Sequence, residues 1–235
     1  RLEFAEKINP DGTLFRTPVG NEVNGTVQVD YYTAKGGAQE TWEPVFTFHG
    51  FQHTALYVES GTLPEAPSNK TLTAVVVHTD LPETASFDCS DPQLVRLHEA
   101  AGRTLLAGMH GLPMDCPVRE RCGWLGDGHV IAEALLTRYD AASFLHKYAR
   151  DIETGGRRVT DEPRVGPNYG TIVREPKPAG IPHMIAPGKR RCNAASPDWG
   201  SAQVFIPWEI CTQTGDVRIL QEFLEPMRTW IDYLG

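Results

Sequence analysis

The sequence predicts a multi-domain chain that is β-rich first and helical afterwards: a β-sandwich module, or part of one, over residues 1–85, then helical hairpins over 86–235. Three observations carry this reading. β-Branched and aromatic residues alternate with partial period 2 up to about residue 85. The apolar period becomes helical after Ser90-Asp91-Pro92. A Gly- and Pro-rich stretch over about 154–197 then separates two pairs of helices as a long loop, and loops of that length are usually functional.

The strand runs are Thr26 to Tyr32, Val45 to Phe48, Thr54 to Val58 and Leu72 to Val77. Gly36-Gly37, His49-Gly50, Ser60-Gly61 and the Pro64 to Ser68 stretch supply turns between them. Asp91 or Ser90 caps a first helix with Pro92 at its first position, and Leu94, Leu97, Ala101, Leu105 and Met109 form its stripe. A second helix, 128–150, carries Val130, Ala134, Leu135, Tyr139, Phe144 and Tyr148. A third, 199–213, is apolar around most of its circumference and should kink at Pro207. Thr214-Gly215-Asp216 reads as a C-cap glycine followed by an N-cap, after which 216–234 forms the fourth helix, from Ile219 to Leu234. Trp208 and Trp230 fall on helical stripes and read as core, and His49 as structural.

Composition bounds the function. The chain has 235 residues, 40% hydrophobic and 22% charged, enough for a sizeable core. A net charge of −8 gives no electrostatic footprint for nucleic acid, and no apolar run is long enough to span a bilayer. Arg1-Leu2-Glu3 shows neither an initiator Met nor a signal segment, so the chain is expected to begin partway through a longer protein. Cys89, Cys116, Cys122, Cys192 and Cys211 are odd in number and lack zinc-site spacing, which argues against a disulfide framework and a metal centre. Asn24-Gly25-Thr26 and Asn69-Lys70-Thr71 are sequons, but they do not decide between a cytoplasmic and a secreted or periplasmic location.

The chemistry concentrates in Asp115-Cys116-Pro117-Val118-Arg119-Glu120-Arg121-Cys122-Gly123-Trp124-Leu125-Gly126-Asp127-Gly128. Gly123 and Gly126 read as bends that converge side chains from separated positions. Asp127 stands where the next helix needs an N-cap, and Glu120 between two arginines could be a surface ion pair worth little. The combination favours another reading. Trp124 offers a face that stacks on the less polar side of a sugar ring, Asp115, Arg119 and Asp127 can bond its hydroxyls, and Glu120 has the chemistry of a glycosidase acid.

This motif resembles the signature of α-L-rhamnosidases of glycoside hydrolase family 78, which have a six-hairpin (α/α)6 catalytic barrel. The resemblance extends to Tyr31-Tyr32, Gly36-Gly37 and Glu43 to Phe51 in the preceding β-sandwich. It continues through Trp199-Gly200-Ser201-Ala202, Ile206-Pro207-Trp208, Thr214-Gly215-Asp216 and Met227-Arg228-Thr229-Trp230 in the early barrel helices. It implies the first part of such a barrel over 86–235, hydrolysis of terminal α-L-rhamnosides with inversion, and a rhamnose-containing glycoside or polysaccharide as partner. It makes Glu120 the general acid and Asp115, Arg119, Trp124 and Asp127 ring-binding residues. Trp199 either lines the sugar subsite or belongs to the core.

The resemblance also implies a general base late in the barrel that nothing here matches, and twelve helices where about four are predicted. The rest of the barrel is expected from the same longer protein. No cofactor is implied, with calcium left open. Val118, Cys122, Leu125 and Ser201 depart from the family pattern and bear on the aglycone and the sugar. The rival readings are a non-catalytic carbohydrate-binding fragment and a related (α/α)6 glycosidase or lyase of other specificity.

Overall fold

The structure is a computed structural model that describes residues 1–19, 22–26, 28–37, 39–63, 66–68, 70–157, 165–166, 170–171, 178–187 and 195–235. Val27, Asn69, Cys192 and most of the predicted 154–197 loop lie outside the described residues. The described chain divides into two compact units, one of residues 1–77 with 117–120, the other of 78–116 with 121–235.

The first unit is built on β1 (Leu2–Ala5), which pairs antiparallel with β4 (Gln28–Asp30) on one side and β5 (His53–Leu56) on the other. β2 (Thr17–Val19) and β3 (Glu22–Thr26) form a separate hairpin. Polar tethers extend the small sheet. The buried Gln28 amide donates to the Gly50 carbonyl at 2.8 Å and accepts the Gly50 N–H at 3.0 Å, so a side chain stands in for a ladder residue. His49 stacks on Phe4 with ring centroids 4.4 Å apart and contacts Asp30 at 3.0 Å, the structural role expected of it. Gly50 also lets the chain approach closely, because a Cβ there would lie 2.7 Å from Val118 Cγ2.

Two strand expectations fail. Val45–Phe48 contains a bend in which Phe46 takes φ 59°, and the run joins no ladder. Leu72–Val77 belongs to no assigned strand, with Val76 85% exposed. β propensity measures how a side chain fits a pleated, half-buried surface, and among the described residues no neighbouring strand supplies that surface to either run.

The second unit is helical. α1 (Pro92–Ala107) starts as predicted: Asp91 accepts the Gln93 N–H at 2.8 Å and Pro92 occupies the first turn. Its inward face differs from the predicted stripe, since Leu94 and Leu97 are exposed and Gly102 is buried. A polar tether sets the rotation. Arg138 lies over Gly102 and donates to the His98 carbonyl at 2.5 Å and to Glu83 at 2.8 Å.

The predicted 128–150 helix is three: α2 (Leu125–Val130), α3 (Ala132–Arg138) and α4 (Ala142–Gly156). Tyr139 ends α3 in extended conformation, φ −125° and ψ 152°, where it forms a bridge with Glu83 while Asp140 N–H donates to the Pro82 carbonyl. That long-range pairing outweighs helical continuity. After the described β6 (Val165–Gly166) and β7 (Gly170–Thr171) pair, the next predicted helix is also split, at Ser201, into α5 (Pro197–Gly200) and α6 (Ala202–Thr214). Pro207 lies inside α6.

Gly215 ends α6 in the left-handed region, φ 74°, as a C-cap glycine should. α7 (Arg218–Leu234) follows. Ile219 and Phe223 of α7 are buried in one core with Leu135, Leu145, Tyr148, Ile206 and Ile210, and Trp230 in a second with Ile181 and Ala195. Trp208 contradicts its assignment to the core, at 55% exposure. α6 is apolar nearly all round, and its Ala202, Ile206 and Ile210 face takes the buried side, which turns Phe205 and Trp208 outward.

Candidate active site

The charged motif is shared between the units, with residues 117–120 in the first and its flanks in the second. In the first unit, Val118 is 5% exposed and anchors this short excursion beside Gly50. Arg119 and Glu120 follow it as an ion pair, Nη2 to Oε1 2.9 Å, with the Glu120 side chain 24% exposed. The structure therefore realises the ion pair, and partial cover distinguishes Glu120 from a fully solvated surface carboxylate.

In the second unit, Asp115 and Cys122 close the ends of the motif on each other. Asp115 N–H donates to the Cys122 carbonyl at 3.0 Å, and Cys122 N–H donates to Asp115 Oδ1 at 2.9 Å. The Cys116 thiol donates to Asp115 Oδ2 at 2.9 Å. Beside this clasp Arg121 takes φ 53°, a left-handed conformation rare for a residue with a Cβ. Burial pushes the Arg121 pKa down, with the neighbouring Cys116 opposing it.

Trp124 is held by backbone pairing. It bridges Ile185, Leu125 N–H donates to the Met184 carbonyl, and Ala186 N–H donates to the Gly123 carbonyl, both at 2.9 Å. The buried Tyr148 hydroxyl donates to the same Gly123 carbonyl at 2.9 Å; burial, then the charges of Asp127 and Asp151, push its pKa well above the ordinary phenol value.

The glycines act by close approach more than by bending. A Cβ on Gly123 would lie 2.0 Å from the Ala186 oxygen, one on Gly126 2.8 Å from the Trp199 ring, and one on Gly128 2.7 Å from the Tyr148 ring. Gly126 and Gly128 are helical residues of α2.

Asp127 is not the cap. α2 begins at Leu125 with Trp124 in the cap position and no side-chain cap bond, which places Asp127, exposed, in the first turn. There an acidic group meets the positive end of the backbone dipoles. Trp199, half-buried in α5, packs against the hydrophobic core and against Gly126, and its buried indole N–H has no hydrogen-bond partner among the described residues.

The second unit thus holds Asp115, Trp124, Asp127 and Trp199, with Trp199 reaching the motif through Gly126; the first holds Arg119 and Glu120. Sequence reasoning passed over Cys116, Cys122 and Tyr148 as site supports. Cys122 had a signal, as a departure from the family pattern, whereas Tyr148 was visible only as one member of an apolar stripe. His129, two places past Asp127, contacts the Asp198 carbonyl at 2.8 Å. Among the described residues no group of three or more His, Cys, Asp or Glu is arranged to hold a metal ion, and no helix is long and apolar enough to cross a membrane.

Comparison with known proteins covers both units. The family model for the bacterial alpha-L-rhamnosidase 6 hairpin glycosidase domain matches residues 82–235, and that for the bacterial alpha-L-rhamnosidase concanavalin-like domain matches residues 1–78. An alpha-L-rhamnosidase of Formosa agariphila is 40% identical over 92% of this chain and 21% of its own length. One of Streptomyces avermitilis is 35% identical over 100% of this chain and 20% of its own.

Among solved structures, the Streptomyces avermitilis alpha-L-rhamnosidase complexed with L-rhamnose aligns with TM-score 0.79 at 30% identity, covering 99% of this chain and 20% of that one. The alpha-L-rhamnosidase from Dictyoglumus thermophilum aligns with TM-score 0.77 at 26% identity, covering 99% and 23%. The chain spans about a fifth of the length of these relatives.

Proposed function

From the premise that the chain belongs to the bacterial α-L-rhamnosidase family, we propose that the protein it contributes to hydrolyses terminal α-L-rhamnosides with inversion at the anomeric carbon. Glu120 is the general acid and protonates the leaving glycosidic oxygen. A water attacks the opposite face of the sugar, activated by a general base supplied from outside these residues, roughly 6.5 to 9.5 Å from the acid. Asp115, Arg119, Trp124, Asp127 and Trp199 bind the ring, the two indoles through their faces and the others through hydroxyl hydrogen bonds. Hydrolysis carried by two carboxylates and a water uses no cofactor.

The observation that carries this reading is the alignment of nearly the whole chain with a rhamnosidase solved with L-rhamnose. The Glu120 side chain, largely covered yet not sealed off, supports the acid because a general acid must be able to reach the leaving oxygen. The outward apolar residues Phe205, Trp208, Leu224 and Ile231 on α6 and α7 support further helices of a six-hairpin domain packing there.

The test is proton NMR of the first product formed from an aryl α-L-rhamnoside by the full-length protein. β-L-Rhamnose appearing first, and its loss in Glu120→Gln, support the proposal. α-L-Rhamnose appearing first removes inversion, near-normal turnover by Glu120→Gln removes the acid, and no turnover with rhamnose still bound leaves a carbohydrate-binding protein.

A further inference from the structure

We infer that His129 is a positioning residue: it ties α2, which carries Asp127, to α5, which carries Trp199, and so sets sugar affinity without touching the sugar. The inference rests on the proposed ring-binding roles of Asp127 and Trp199. Every residue it uses belongs to the second unit.

Neither helix is long enough to hold its own place. α2 has six residues and α5 four, and helices so short are marginal unless neighbouring elements support them. Trp199 also lacks a polar anchor: its buried indole N–H has no hydrogen-bond partner among the described residues. The ring therefore stands where α5 puts it.

Two contacts join the helices. A Cβ on Gly126 would lie 2.8 Å from the Trp199 ring, so the backbone of α2 is packed directly against the indole. Three residues on, at the spacing that brings side chains to one helix face, His129 Nε2 meets the Asp198 carbonyl at 2.8 Å. A carbonyl only accepts, so Nε2 carries the proton and the imidazole donates. Asp198 directly precedes Trp199. Glycine packing alone lets one helix turn or slide against the other, whereas a hydrogen bond about one turn away fixes the pair. The imidazole also packs on Phe205 of α6, ring centroids 5.4 Å apart, which holds the donor in place.

In the full-length protein, inhibition of aryl α-L-rhamnoside hydrolysis by free L-rhamnose reads the subsite. His129→Leu keeps apolar bulk against Phe205 and removes the donor; it should raise the inhibition constant about tenfold, the order of a displaced pocket contact, and change kcat less. His129→Gln, whose amide N–H can replace the Nε2 donor, should stay within about threefold of wild type. Adding His129→Leu to Trp199→Ala should raise the inhibition constant little beyond Trp199→Ala alone, because the imidazole acts through that ring.

Hydrogen exchange at the Trp199 and Gly200 amides, which donate to the Ser196 carbonyl at 3.0 and 2.8 Å, reads the tie without turnover. It should accelerate in His129→Leu and not in His129→Gln. Should His129→Leu not fold, His129→Asn, whose amide is too short to reach the carbonyl, takes its place with the same expected results. An unchanged inhibition constant in the donor-free variant, equal losses in it and in His129→Gln, or a fall in kcat at the wild-type inhibition constant, which marks a group acting in the chemistry, overturns the inference. An inhibition constant unaffected by Trp199→Ala instead overturns the reading of Trp199 as a ring ligand, and the exchange test of the tie still stands.

Discussion

Replacing Gly123 by alanine tests the support of the motif at its tightest point. The added methyl would sit 2.0 Å from the Ala186 oxygen and 3.1 Å from the Leu112 side chain. The first neighbour is backbone, fixed by Ala186 N–H to Gly123 O and Leu125 N–H to Met184 O, each 2.9 Å, and cannot rotate away. Relief requires the two segments to part, which forfeits both bonds at about 1 kcal/mol each. Residual overpacking adds about 1 to 3 kcal/mol. The sum is about 3 to 5 kcal/mol, which for a unit of this size lowers the melting temperature by on the order of 10 °C.

Gly155→Ala is the matched control. A Cβ there meets nothing within 4 Å inside α4, so the same substitution should be neutral or stabilise by up to about 1 kcal/mol. Thermal unfolding of the full-length protein, together with hydrogen exchange at Leu125 and Ala186, measures both variants. A Gly123→Ala protein that melts like wild type and keeps protection at those amides would refute the reasoning.

Tyr148→Phe should cost only about 1 kcal/mol in chemical denaturation, because the Gly123 carbonyl that loses the phenol keeps the Ala186 N–H; Tyr148→Ala, which empties a buried site, should cost about 3 to 5 kcal/mol. Gly126→Ala presses the Trp199 ring from 2.8 Å and should weaken L-rhamnose binding by about tenfold, read by calorimetric titration, if Trp199 lines the subsite; the underlying discrimination is the 1 to 3 kcal/mol a displaced pocket contact is worth. Between α4 and α7 the Arg150 guanidinium first, and His146 after it, hold the Glu222 carboxyl below the usual carboxylate range. Glu222→Gln should therefore cost a few tenths of a kcal/mol at pH 7, and the difference should vanish as pH falls well below the ordinary glutamate value of about 4.5.

Local signals were legible wherever a helix end depends on its own residues. Asp91-Pro92 starts α1 and Gly215 ends α6 because the cap bond and the left-handed backbone are properties of those residues themselves. Features decided by distant partners were not legible. The break at Tyr139 comes from Glu83, and the rotation of α1 comes from Arg138. The crowding at Gly123, Gly126 and Gly128 comes from Ala186, Trp199 and Tyr148.

The cap assigned to Asp127 failed because α2 begins two residues earlier, where Leu125 is drawn into pairing with Met184. Trp208 failed because an all-round apolar helix has no sequence mark for the face that packs. For the site, the residue types and their order were legible in the motif. The clasp among Asp115, Cys116 and Cys122 was not, since it depends on the chain returning to itself.

The central claim, that Glu120 donates the proton to the leaving oxygen, is tested most directly by leaving-group dependence in Glu120→Gln of the full-length protein. Acid assistance is worth about 10²- to 10⁴-fold, and a good leaving group needs little of it. The account predicts a loss in that range on an alkyl α-L-rhamnoside and a much smaller loss on a dinitrophenyl α-L-rhamnoside. Equal losses on both substrates, or near-normal turnover of the alkyl rhamnoside, would contradict it.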